Sequence, residues 1–169
     1  MQRMSGVLIP LFSMWRAEGD AGIGDLAALE DWVRWAAEHR VGFLQLLPVN
    51  AVGEDDCPSP YSAISSVALE PLYLTLEQVP GMPLPLPPYA EDLPPTQIPG
   101  GRDFVDYARV RAYKRYHLKR AFAHFETSAQ YAAQRAEFDA WVTAQGTWLQ
   151  DFATFRVLSI AFGTNAWWL

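Results

Sequence analysis

The sequence predicts an α/β fold, and three successive segments near its N-terminus carry that prediction. Residues 7–12 and 43–47 are short apolar runs of the kind found in fully buried strands. Between them, apolar residues recur at helical spacing through residues 26–39, which predicts an amphipathic helix. A strand, a helix and a second strand in so short a stretch predict a parallel βαβ unit with a right-handed crossover.

Local signals mark the ends of these elements. Pro10 is poorly suited to a strand interior, so it indicates a strand end or an edge position in the first run. Gly22 and Gly24 allow two backbone segments to approach closely. Asp25 directly precedes the helical segment and is a suitable N-cap. Pro48 ends the second apolar run.

The loop after Pro48 is the most informative stretch about function. It contains the adjacent acidic residues 54–56, which we expect to form a solvated loop because their side chains point in different directions. Ser59, Pro60 and Tyr61 follow. A buried strand that ends in a loop bearing hydroxyls and a proline-fixed aromatic ring is typical of one wall of an α/β enzyme site.

The rest of the chain divides into one further apolar segment, a proline-rich stretch and a helical region. Residues 68–74 are a third strand candidate, with a turn near Pro71. Eight prolines in residues 80–101 exclude a regular helix or a central strand. We expect an ordered crossing loop there; the alternative is a proline-rich ligand segment.

Helical periodicity returns in the C-terminal part. It predicts three helices, the last ended by Gly163, over residues 104–125, 135–144 and 148–162. The chain is accordingly organised as residues 1–79, the crossing loop 80–103 and the helical region 104–169.

Composition excludes several functional classes. Half of the 169 residues are hydrophobic, which supplies a core, and the net charge of −6 disfavours nucleic-acid or anionic-membrane partners. Cys57 is the only cysteine, so no internal disulfide can form. No apolar stretch approaches the roughly 18 residues of a membrane span. We therefore expect a cytoplasmic protein with a neutral ligand.

The ionisable residues of the helices show no catalytic or metal-binding pattern. His39, His117 and His124 lie on predicted helices without a partner motif. The first C-terminal helix carries six basic residues, which we interpret as a solvated face rather than an anion site; they are Arg109, Arg111, Lys114, Arg115, Lys119 and Arg120.

Several separated motifs resemble one enzyme family. QLLPVN at 45–50, SPYSAIS at 59–65 and ALEPLYL at 68–74 are similar to the 4-α-glucanotransferases, the amylomaltase or disproportionating-enzyme family. GIGD at 22–25 and VDY at 105–107 fit the same pattern. The resemblance implies the N-terminal part of a (β/α)8 TIM barrel with inserted helices. Because the family pattern continues past Trp168, we expect an incomplete barrel; the alternative is a compact α+β domain.

The resemblance also implies an activity. Such enzymes move α-1,4-glucan segments between maltodextrins (EC 2.4.1.25) by a retaining mechanism that needs no cofactor. That mechanism uses two carboxyl groups about 5–5.5 Å apart. In the family these groups lie on later strands, so we assign no catalytic residue here. The alternative function is a non-catalytic glucan-binding or helical interaction module.

The candidate site residues are therefore substrate-binding ones. The resemblance assigns Tyr61 and Ser59 of the SPY motif to glucan or maltooligosaccharide contacts, because an aromatic face can cover the C–H face of a sugar ring. Asn50 follows the second strand and is a further candidate. The alternative for Tyr61 is a turn-stabilising ring packed in the core. Glu70 stands where the family usually has Asn or His, so a sugar contact from it is doubtful.

Overall fold

A computed structural model of the protein describes residues 4–16, 19, 21–53, 59–84, 86, 104–166 and 168. Two strands, β1 (Gly6–Leu8) and β2 (Phe43–Gln45), pair in parallel with Gly6 opposite Phe43. Helix α1 (Leu26–Glu38) connects them. This arrangement confirms the predicted order of strand, helix and strand.

The prediction of fully buried strands is wrong. Leu8 is 55% exposed and Phe43 is 47% exposed. Within the described residues β1 and β2 have only each other as sheet partners, so neither strand is covered as parallel strands usually are. The first strand is also shorter than predicted. It ends before Pro10, and a 3-10 helix, Leu11–Ser13, follows.

The start of α1 is held by buried polar contacts. Asp25 caps the helix as predicted, and its side chain accepts a 3.0 Å hydrogen bond from the Ala28 amide. Arg16 donates to the second carboxylate oxygen of Asp25 at 2.9 Å. The Ala27 amide donates to the Thr75 hydroxyl at 2.9 Å. These bonds connect the helix start to two distant segments of the chain.

Residues 68–74 do not form the third strand that the apolar pattern predicted. Leu69 makes a single antiparallel bridge to Asn50, and the chain then turns into a 3-10 helix, Pro71–Tyr73. A proline cannot donate to a sheet ladder, and the Glu70 carboxylate accepts from the Leu72 amide, which favours the turn. The predicted turn near Pro71 is thus confirmed. A further 3-10 helix follows at Leu76–Gln78.

The three predicted C-terminal helices are confirmed. They are α2 (Tyr107–Thr127), α3 (Ala132–Ala144) and α4 (Thr147–Phe162). The Asp106 carboxylate caps α2 by accepting from the Arg109 amide at 3.0 Å. Gly163 ends α4 in the left-handed conformation, with φ of 67°. Most of the proline-rich prediction falls on residues outside the described ranges.

The described core lies between α2 and the N-terminal half of the chain. Its largest cluster joins the 3-10 helix before α1, the start of α1, the 70s segment and α2; it includes Leu11, Met14, Ile23, Leu72, Tyr73 and Val110. By contrast, α3 buries none of its described residues and α4 buries only Ser159. None of the described helices has the length and apolar character needed to cross a membrane.

Candidate functional site

The loop that follows β2 is fixed between two other backbone segments. The Ala51 amide donates to the Ala68 carbonyl oxygen at 2.8 Å, and the Ile64 amide donates to the Ala51 carbonyl oxygen at 2.8 Å. A bridge between Val52 and Ala63 extends this contact. The predicted binding residue Asn50 therefore lies on an ordered segment, opposite Leu69.

Glu70 supports this loop through backbone contacts. Its side chain is buried and accepts from the Val52 amide at 2.9 Å and from the Leu72 amide at 3.4 Å. A carboxylate satisfied by two amides inside the fold stabilises the loop. Glu70 is thus a supporting residue of the loop.

The Ser59-Pro60-Tyr61 segment forms a tight turn at the surface. The Ser62 amide donates to the Ser59 carbonyl oxygen at 2.9 Å, and the Tyr61 amide donates to the Ser59 hydroxyl at 3.3 Å. Tyr61 is 72% exposed. The alternative of a core-packed Tyr61 is therefore wrong, and its ring is accessible to a ligand.

Asn50 lies on a segment that adjoins the one carrying Ser59 and Tyr61. Asn50 and Val52 belong to the central segment, and Ala63, opposite Val52, is two residues from Tyr61. In the part of the chain that the structure describes, no hydrogen bond joins the Asn50 and Tyr61 side chains.

The residues directly after this turn line a cavity of about 800 Å³, whereas Tyr61, Ser59 and Asn50 do not line it. One wall is formed by Ala63 and Ile64, and the other by the C-terminal end of α4 and the residues after it, among them Ser159, Thr164, Asn165 and Trp168. Trp168 is 68% exposed. Local sequence signals could not identify this wall, because residues so distant in the chain become neighbours only through folding.

The sequence-based prediction for Lys114 is wrong. This residue was predicted to lie on a solvated basic face, but it is 1% exposed and donates to the Leu72 and Leu74 carbonyl oxygens at 2.6 and 2.8 Å. Val110 and Ala121 are buried on the same helix face. Their helical spacing to Lys114 was the signal that could have placed it in the interior.

Burial also changes the acid–base properties of aromatic groups near Lys114. Desolvation, with contributions from Tyr107 and Glu70, raises the pKa of Tyr73 to about 12. Burial lowers the pKa of the His117 imidazole, and Arg120 adds to this effect. Both shifts favour the neutral form at pH 7.

The described carboxylates of the interior have structural partners. Asp25 and Asp106 cap helices, and Glu70 holds the loop after β2. No group of three His, Cys, Asp or Glu side chains among the described residues could hold a metal ion. Cys57 and the acidic residues 54–56 lie outside the described ranges.

Comparison with known proteins places this architecture in a family. The profile described as 4-alpha-glucanotransferase matches residues 9–169. The chain belongs to the 4-alpha-glucanotransferase family. The resemblance drawn from the QLLPVN, SPYSAIS and ALEPLYL motifs is thereby confirmed.

Curated relatives agree with the family assignment. The 4-alpha-glucanotransferase of Chlamydia pneumoniae is 31% identical over 153 residues, which cover 90% of this chain and 28% of that protein. The Synechocystis enzyme of the same name is 30% identical over 98% of this chain and 31% of its own length. The Thermus thermophilus enzyme is 33% identical over 88% of this chain and 28% of its own length. The chain thus spans less than a third of these relatives.

Proposed function

We propose that this chain forms the opening part of a 4-α-glucanotransferase and supplies a wall of its glucan-binding site. The substrates are α-1,4-glucans or maltooligosaccharides, and the expected activity of the whole enzyme is EC 2.4.1.25. The observation that carries the proposal is the exposed Tyr61 ring, held on a proline-fixed turn that is followed by Ala63 and Ile64 in the wall of a cavity of about 800 Å³.

The chemistry of that wall suits a sugar. An exposed aromatic face can cover the apolar C–H face of a glucose ring. The cavity lined by Ala63 and Ile64 offers the hydroxyls of Ser159 and Thr164 and the amide of Asn165 for hydrogen bonds. Its size falls in the range of roughly 300–1,000 Å³ typical of small-molecule sites.

The open edges of the sheet support an incomplete (β/α)8 barrel. Parallel strands are normally covered on both faces, whereas Leu8 and Phe43 are exposed. The full barrel would place further strands beside β1 and β2. Under this proposal the protein is cytoplasmic.

A retaining transfer needs a carboxylate nucleophile and a carboxylic acid about 5–5.5 Å apart. We assign neither role to Asp25, Glu70 or Asp106, because backbone amides already occupy their oxygens. In this proposal Tyr61, Ser59 and Asn50 bind and orient the glucan. The covalent chemistry belongs to strands of the family fold that this chain does not span.

The binding role can be tested by titrating the chain with maltoheptaose in an isothermal calorimeter. We expect Tyr61→Ala to weaken binding about fivefold, because an aromatic contact contributes about 0.5–1.5 kcal/mol. Tyr61→Phe should retain most of the affinity. Trp141→Ala, which removes an exposed ring on α3, is the matched control. Equal losses in both alanine variants would disprove the site.

The catalytic assignment has a separate test. We expect no glucose release from maltotriose by this chain, because it holds no assigned carboxylate pair. Release well above a protein-free blank would contradict the assignment. Binding of maltoheptaose without release fits both an enzyme segment and the alternative, a non-catalytic glucan-binding module. Activity gained by mixing with the remainder of a relative, such as the Thermus thermophilus enzyme, would favour the enzyme segment.

A further inference from the structure

Glu70 contacts the loop after β2 through both its backbone and its side chain. The Glu70 amide donates to the Val49 carbonyl oxygen at 3.0 Å. Its carboxylate accepts from the Val52 amide at 2.9 Å and from the Leu72 amide at 3.4 Å. Glu70 is 7% exposed, and Val52 is buried as well. One residue therefore fixes both ends of residues 49–52 from inside the fold, where such bonds are strong.

The segment that follows Glu70 is anchored to the core. Lys114 of α2 donates to the carbonyl oxygens of Leu72 and Leu74 at 2.6 and 2.8 Å. Leu72 and Tyr73 also belong to the largest cluster of buried apolar residues. The Glu70 carboxylate therefore connects the loop after β2 to the best-packed part of the described structure.

A backbone bridge continues this connection to the turn that carries Tyr61. Val52 makes an antiparallel bridge to Ala63. Ala63 lines the cavity of about 800 Å³ and lies two residues after Tyr61, whose ring is exposed. Glu70 itself does not line that cavity. Because bridged backbones keep a fixed separation, a displacement of Val52 would be passed to the Tyr61 turn.

We propose that Glu70 is a positioning residue for the glucan-binding site, an inference that rests on the proposed function. Its carboxylate holds the Val52 amide, and the bridge from Val52 to Ala63 holds the turn that presents Tyr61. A side chain that binds a ligand must be kept within about 0.5 Å of its productive position. The reach of Glu70 decides this role, because the Val52 amide needs an acceptor oxygen at hydrogen-bond distance.

Two conservative substitutions separate the reach of this side chain from its charge. Glu70→Asp keeps the charge but shortens the side chain by one methylene. An aspartate can accept from the Leu72 amide, two residues further on, but it no longer reaches the Val52 amide. Glu70→Gln loses the charge and keeps both the length and an acceptor oxygen for Val52. Thermal unfolding of each variant checks that the fold is retained.

The direct test is calorimetric titration of these variants with maltoheptaose. We expect Glu70→Asp to weaken binding about fivefold, as loss of the Tyr61 ring does, and Glu70→Gln to stay within about twofold of the parent. The matched control is Glu77→Asp. It shortens a carboxylate on the next 3-10 helix, which pairs with Arg16 at 3.6 Å, and it should leave the affinity unchanged.

A double-mutant cycle distinguishes the positioning of Tyr61 from a general loss of structure. In the Tyr61→Ala background, Glu70→Asp should weaken binding by less than about twofold, because the ring that Glu70 positions is gone. Equal effects of Glu70→Asp in both backgrounds would overturn the inference. So would equal losses in Glu70→Asp and Glu77→Asp, or in Glu70→Asp and Glu70→Gln.

The same titrations separate this inference from the proposed function. Binding that is weakened in Tyr61→Ala but unchanged in Glu70→Asp would overturn the positioning role alone. The absence of maltoheptaose binding by the parent chain would overturn both.

Discussion

Burial and polarity are related in opposite ways in the interior beside α2 and on the surface of α4. Next to α2, the charged groups of Lys114, Asp25 and Glu70 are buried and bonded to the backbone. On α4, apolar side chains such as Val157 and Phe162 are exposed. A helix that is apolar on all sides is usually enclosed. Residue polarity therefore predicts burial only where a neighbouring segment supplies the partner.

The largest loss of stability is expected from a substitution at Gly24, in the buried region. A Cβ atom there would overlap the Leu11 carbonyl oxygen and the Met14 backbone, so Gly24→Ala should cost about 3 kcal/mol or more of unfolding free energy. Gly163, after α4, has open space around it and the left-handed conformation, with φ of 67° and ψ of 24°. Gly163→Ala should cost only about 1 kcal/mol. Urea unfolding followed by tryptophan fluorescence measures both, and similar losses would break the comparison.

Removal of the buried ammonium group tests the α2 side directly. Lys114→Met keeps the length of the side chain but leaves the Leu72 and Leu74 carbonyl oxygens without this donor. We expect a loss of roughly 2–3 kcal/mol in urea unfolding, because hydrogen bonds to charged groups contribute about 1.5–3 kcal/mol. The control Lys119→Met, on the exposed side of the same helix, should stay within about 0.5 kcal/mol. A neutral Lys114→Met variant would show that the contact is dispensable.

We expect the free energy of unfolding to depend on pH through the buried imidazole of His117, with an effect of intermediate size. Burial lowers its pKa below the ordinary value of 6.5, so the unfolded chain binds the proton more readily than the folded chain. The free energy of unfolding should therefore decrease as the pH falls below about 6.5. His117→Leu should reduce that decrease when urea unfolding is compared at pH 7.5 and 5.5. His39→Gln, which retains the buried imidazole, should unfold like the parent; an unchanged profile in His117→Leu would contradict the prediction.

The smallest effect on stability is expected on α4. Val157 is exposed, so Val157→Ser should change the free energy of unfolding by no more than about 0.5 kcal/mol. The Val157→Ser variant should self-associate less than the parent, since exposed apolar surface favours association. Sedimentation velocity across a concentration series measures the association. A destabilisation of more than about 1 kcal/mol would indicate that Val157 is packed, and the contrast with α2 would fail.

Agreement between sequence and structure is best where a signal is local. The caps at Asp25 and Asp106 and the end of α4 at Gly163 follow from hydrogen bonds or backbone preferences within one turn. The prediction failed at residues 68–74, where an apolar composition suited both a strand and a turn. There Pro71 and the Glu70 carboxylate favoured the turn.

In the candidate site, too, the local motif was predictable and the contacts between distant segments were not. The SPY motif identified Tyr61 and Ser59, and the structure adds that the Tyr61 ring is exposed. The cavity wall at Thr164 and Asn165 could not be predicted, since it depends on how the chain after α4 is placed relative to Ile64 in the folded protein. The binding roles of Tyr61, Ser59 and Asn50 stay predictions until the titrations are made.

The short-range sequence by itself determined the helices, their caps and the family motifs of this protein, because each depends on neighbours within a few positions. Only the tertiary structure decided three other features: the burial of Lys114, the exposure of Phe43, and the cavity that residues 63–64 share with the end of α4. They depend on which distant segments supply hydrogen-bond partners or cover apolar surface. Those partners exist for a given side chain only after the chain has folded.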